Sequence, residues 1–188
     1  MSISAKRLSG SVRLVLPALV AWAGSAQALV PAWLALPGWQ LPPDAVAEAE
    51  GPTAVRQTPR PGSRVFDQDF IVETPVQVGD LNLKRQFYFD DKRQLTVVRI
   101  MPAALSGGNC AALLTSTAAA LGAPDETKTD ASIASISFEN AYWLRPKDNR
   151  VYRWVRLKSS AIPDDKTPCH VLIEPYEAGM ARKQKGKG

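Results

Sequence analysis

The chain has 188 residues, of which 45% are hydrophobic and 22% charged, and 23 Lys plus Arg against 18 Asp plus Glu give a formal net charge of +5. That length and mix describe one ordinary globular domain with room for flanking segments. No Gly-X-Y or heptad period and no repeat of solenoid length is found, which excludes collagen-like, coiled-coil and solenoid chains.

Residues 1–28 read as a secretory signal. Lys6, Arg7 and Arg13 form the positive region, Leu14 to Trp22 the short apolar core, and Ala26-Gln27-Ala28 the small-residue pattern before cleavage. The alternative is an uncleaved anchor over residues 14–36, since no charge occurs from Leu14 through Pro43 and about 20 apolar residues cross a bilayer. Pro17, Pro31 and Pro37 with Gly24 and Gly38 interrupt such a helix. No cysteine stands near the cleavage site, so a lipoprotein is not indicated, and general secretion to the periplasm or exterior is expected. An uncleaved anchor would instead leave the protein membrane-bound and facing the periplasm.

Residues 29–63 carry seven of the 15 prolines along with Ala and Glu, the composition of an extended linker with little fixed structure. Trp33 and Trp39 are its odd feature: interfacial aromatics of an anchor, or an exposed apolar arm.

From Arg64 to Tyr176 the hydrophobic period shortens to two, and this segment is expected to be the folded domain. Val65 to Val72 is a first strand with Phe66, Phe70 and Val72 on one face. Leu81 to Phe89 and Leu95 to Met101 form a hairpin through Asp90-Asp91-Lys92-Arg93, closed by Pro102. Asn109 is expected to cap a helix from Cys110 to Leu121, which Gly122 ends. Its stripe of Cys110, Leu113, Leu114, Thr117, Ala118 and Leu121 suits packing flat on a sheet. Ile136 to Leu144, Val151 to Lys158 and Cys169 to Glu174 complete about six strands, with Asp148-Asn149 as a turn. This order implies an α+β fold, a two-layer sandwich of a mostly antiparallel sheet with one helix on one face. The competing arrangement is a small barrel plugged by the helix. Residues 177–188 form a basic tail, expected to be disordered.

Two cysteines in an exported chain imply a disulfide. Cys110 lies on the buried helix stripe, and Cys169 shares a strand face with Val171 and Ile173, the side that should meet the helix. A catalytic alternative places a Cys110 thiolate at the helix start beside His170, as in Cys/His hydrolases. Cys169-His170-Val171-Leu172-Ile173 resembles the His strand of papain-like cell-wall peptidases over these five residues, with the rest of that pattern absent. The two readings exclude each other, because Cys169 and His170 point to opposite faces of a strand.

One His and two Cys offer no paired zinc spacing, and Asp90-Asp91 and Asp164-Asp165 lie beside turn formers. No phosphate-binding Gly-rich loop, dinucleotide fingerprint or nucleophile elbow occurs, so no metal or cofactor is expected. Arg150, Tyr152, Trp154, Arg156 and Lys158 alternate onto one strand face, with Val151, Val155 and Leu157 opposite and Arg153 the exception. Cations interleaved with aromatics can hold an anionic chain, while the same pattern serves ordinary cross-strand packing. Residues 64–176 carry 14 charges of each sign, so the basicity belongs to the signal and tail and does not mark a nucleic-acid-binding fold. The expected function is a non-catalytic envelope binding or accessory module. Its partner would be an envelope protein or anionic envelope polymer, not nucleic acid, with membrane contact through residues 14–36 if uncleaved or through the tail.

Overall fold

The computed structural model describes residues 30–60, 64–131, 136–163 and 166–185. The expected signal lies outside the described residues. In chain order the elements are α1 (Pro43–Glu50), β1 (Val55–Arg56), β2 (Asp69–Val78), β3 (Leu81–Phe89), β4 (Leu95–Pro102), α2 (Gly107–Leu121), β5 (Glu126–Ala131), β6 (Ile136–Arg145), β7 (Arg150–Ser159), β8 (Cys169–Glu174) and α3 (Tyr176–Lys185).

All eight strands form one antiparallel sheet in the order β1-β2-β3-β4-β8-β7-β6-β5. Two meanders, β1 to β4 and β5 to β8, meet where β4 pairs with β8, and α2 is the connection between them. The α+β class and the helix-covered sheet agree with the sequence. The sheet has two strands more than expected, and its two edges make it an open sheet rather than a barrel. Those extra strands are its edges. β1 has two exposed residues, and β5 reads Glu-Thr-Lys-Thr-Asp-Ala without apolar alternation; short or charged edges discourage pairing with other chains.

Alternation fixes the two faces. Leu83 and Phe87 of β3, Val98 and Ile100 of β4, Trp143 of β6, Tyr152 and Trp154 of β7, and Val171 and Ile173 of β8 share the main core with Cys110 and Leu113 of α2. Ser106, not Asn109, caps α2: its hydroxyl accepts from the Asn109 backbone N–H at 3.0 Å, because the helix begins at Gly107, three residues earlier than expected. Asn109 instead donates its side-chain amide to the Ala104 carbonyl at 2.8 Å. Gly122 ends the helix at φ 83°, a left-handed backbone for which glycine carries no Cβ penalty.

The β3–β4 hairpin keeps its expected turn. Asp90 Oδ1 accepts from the backbone N–H groups of Lys92 at 3.0 Å and Gln94 at 2.9 Å. The first domain strand, however, begins at Asp69. Val65 to Gln68 form a tight turn, with backbone hydrogen bonds between Val65 and Gln68 in both directions and with Phe66 and Asp67 at positive φ. Phe66 therefore leaves the strand, partly exposed with the Arg182 guanidinium 4.2 Å from its ring centroid. A bulge between Phe70 and Val72 puts those two on opposite faces, Val72 in the main core and Phe70 against Tyr88, Val97 and Leu172.

The proline-rich segment is no structureless linker where it is described. Leu34 and Val46 are fully buried and Trp33 is 9% exposed, all in the main core against β2, β3 and β4. Gln40 and Leu41 exchange backbone hydrogen bonds with Leu95, each at 3.0 Å. Arg85 of β3 donates to the Ala35 and Ala32 carbonyls at 2.8 and 3.3 Å and pairs with Glu50 of α1. Prolines suit this arm because most of these contacts use its carbonyls, with the Gln40 N–H the one backbone donor among them, and proline lacks only the N–H. The arm covers the half of the sheet that α2 leaves open.

The basic tail is also ordered through Lys185. α3 packs on the face opposite α2, with Arg182 paired to Glu174 and Lys183 to Glu126. Glu174 is 2% exposed, so a cation brought by the tail is what makes that buried carboxylate tolerable.

Candidate functional site

Cys110 and Cys169 form a disulfide across the α2–β8 contact, with Cα atoms 5.7 Å apart and a sequence separation of 59. Both are fully buried. Neither is a thiol, so the Cys110 nucleophile required by the hydrolase alternative is consumed in the bridge. His170 lies on the opposite face of β8 from Cys169, half-buried, with its Nδ1 buried and without a hydrogen-bond partner. Burial lowers its pKa to about 3, helped by the Arg99 and Arg153 charges, so the imidazole is neutral in ordinary conditions.

The strand pattern of β7 divides. Tyr152 and Trp154 are 1% and 5% exposed and belong to the core on the α2 side, so no ring face there is available for stacking. Arg156 and Lys158 approach Glu139 at 3.9 and 2.7 Å, and Arg150 lies 3.5 Å from the Tyr152 hydroxyl. Alternation did place these residues on one face. That face is the helix-covered one, because Tyr152 and Trp154 sit across from Ile173 and Val171 in the sheet register.

A different constellation occupies the face opposite α2, where α3 and the Val65–Gln68 turn leave the middle uncovered. The register aligns Gln86, Arg99, Leu172, Arg153 and Tyr142 in one row across five strands, so the two arginines flank Leu172. Arg99 lies near the Tyr88 hydroxyl, where its charge opposes the rise that burial causes in the Tyr88 pKa, and Tyr88 donates to Gln86 Oε1 at 3.1 Å. Arg153 Nε donates to Asn140 Oδ1 at 2.9 Å, and its guanidinium carbon lies 5.5 Å from the Tyr142 ring centroid. Between them opens a cavity of about 300 Å³ that Arg99, Arg153 and His170 line with Phe138, Val155 and Leu172. Arg99 also lines a second hollow of about 280 Å³ bordered by Arg60, Arg64 and Tyr88.

Sequence reasoning registered Arg153 only as an exception on its face and passed over Arg99. Both are cations interrupting apolar strand faces, which is the one signal that could have found them. Among the described residues no group of His, Cys, Asp and Glu could hold a metal ion, and no helix is long and apolar enough to cross a membrane. No protein-family model, curated protein or solved structure matches the chain. The fold and site thus define an α+β protein with one helix-covered, disulfide-tied antiparallel sheet and a cation-lined groove on its other face.

Proposed function

We propose that the protein is an exported, non-catalytic binding module of the cell envelope, with the groove opposite α2 as its binding surface. The Cys110–Cys169 bridge carries this reading, since buried structural disulfides are the mark of oxidising compartments. The positive n-region, apolar run and small-residue site of residues 1–28 support it from the sequence side. The cleaved form is favoured over an anchor because Trp33 and Leu34 are core residues, whereas an anchor over residues 14–36 needs both in lipid. Membrane attachment by the tail is disfavoured too: Arg182 and Lys183 are engaged with Glu174 and Glu126.

The test is alkylation of the protein from cell fractions, denatured under nonreducing conditions so that buried thiols react, with N-terminal sequencing of the envelope form. The expected result is unmodified Cys110 and Cys169 and a chain beginning at Leu29. A cytoplasmic protein with both thiols alkylated would overturn the reading and return Cys110 and His170 to consideration as a hydrolase pair.

A further inference from the structure

On their outer sides Arg99 and Arg153 face neutral groups: Arg99 lies near Tyr88, and Arg153 donates to Asn140. Among the described residues neither forms an ion pair with a carboxylate. They stand one strand apart on either side of Leu172, about 10 Å between Cα atoms at ordinary strand spacing. Arg99 Nε and His170 Nδ1 are both buried without a hydrogen-bond partner, and buried polar atoms in native proteins nearly always have one. The floor between them is apolar: Leu172 is 3% and Val155 6% exposed. A neutral apolar ligand would leave both guanidiniums unpaired, and a bare inorganic anion would leave the Leu172 and Val155 floor wet. A guanidinium fork matches the planar oxygens of a carboxylate or the edge of a phosphate, and the cavity's 300 Å³ is at the small end for organic ligands.

We propose that this cavity binds a small amphipathic organic anion, its carboxylate or phosphate ester held between Arg99 and Arg153 and its apolar body laid over Leu172, Val155 and Phe138. This rests on the reading of the protein as a binding module and names its ligand class. His170 supplies a neutral polar edge beside the anion, and Phe66, with the Arg182 guanidinium over its ring, also lines the cavity.

The probes are octanoate and octyl phosphate, titrated calorimetrically into the oxidised full chain, with octanamide and acetate as the uncharged and body-less counterparts. At least one octyl anion should bind saturably at one site, and octanamide and acetate at least ten-fold more weakly. Which anion binds tighter separates a carboxylate ligand from a phosphate ester. Arg99→Gln and Arg153→Gln should each weaken binding ten- to hundred-fold, the scale of a hydrogen bond to a charged group, while Arg145→Gln, remote from the cavity, should not. Octanamide binding as tightly as the anions, or arginine variants that melt like the parent and bind like it, would overturn the proposal. Should the variants fail to fold, the His170 imidazole resonances of the unaltered protein decide: they should move with the bound octyl anion and not with octanamide, and resonances unmoved at saturation would overturn it. Absence of binding leaves the disulfide and export result untouched, whereas alkylated cytoplasmic thiols leave the isotherms untouched.

Discussion

Glu50, the last residue of α1, is ion-paired to Arg85 in the middle of β3, beneath the arm whose carbonyls Arg85 also holds. The Glu50 and Arg85 side chains are only 4% and 11% exposed. Burial pushes the Glu50 carboxyl up against the opposing pull of Arg85. The pair is thus a costly way to fix the arm, and losing one member costs more than losing both. We expect Arg85→Ala to destabilise the protein by about 3–5 kcal/mol, because it leaves a buried carboxylate unpaired. Arg85→Met combined with Glu50→Gln should recover a large part of that loss. Urea unfolding of the parent and the two variants measures both quantities.

The disulfide closes a loop between residues separated by 59 in sequence. Chain entropy alone assigns such a closure about 4 kcal/mol, a large part of a small domain's stability. Cys110→Ala/Cys169→Ala should therefore melt well below the oxidised parent. The reduced parent should fall with it, because each cysteine is fully buried and reduction leaves two thiols in a space fitted to one bridge. Thermal melts of the three forms at one pH check this.

His170 links stability to pH. Its folded pKa is about 3, while an imidazole in the unfolded chain titrates near 6.5. Between those values the unfolded chain holds more protons, so stability rises with pH and is lost as pH falls below about 6.5. The contribution is fully present above that pH. Replacing His170 with Gln should flatten the decline between pH 6 and pH 4 by up to about 1.4 kcal/mol per pH unit. Parallel urea titrations of parent and variant give the difference; coincident pH profiles would refute it.

α3 is seated by close backbone approach. A Cβ on Gly179 would lie 2.9 Å from Val151 Cβ, nearer than unstrained carbons come. Gly179→Ala ordinarily gains about 1 kcal/mol in a helix interior. Here the gain should be outweighed by overpacking of about 1–3 kcal/mol, undocking α3 and leaving Glu174 without Arg182. Faster amide exchange across residues 176–185 and restoration by Val151→Ala would show that the clash is the cause.

The sequence by itself determined the strands that alternate cleanly, the β3–β4 hairpin and its Asp90 turn, and the helix ended by Gly122. It also determined the disulfide, because Cys110 and Cys169 each lay on a face marked by its apolar neighbours. It did not show that Trp33, Leu34 and Val46 are core. Their setting of prolines and alanines has no strand or helix period, and their burial depends on Arg85, some 50 residues away, supplying donors to the arm's carbonyls. Nor did it show β5, an edge strand paired on one side and carrying no apolar face. Alternation placed Tyr152 and Trp154 together with Arg150 and Arg156 correctly, but could not say which face of the sheet the helix would cover. That choice was made by α2 and its bridge to Cys169. Because α2 and the N-terminal arm share one side, the cations left on the other, Arg99 and Arg153, became the candidate site: periodicity reports which residues share a face, and only packing decides which face is buried.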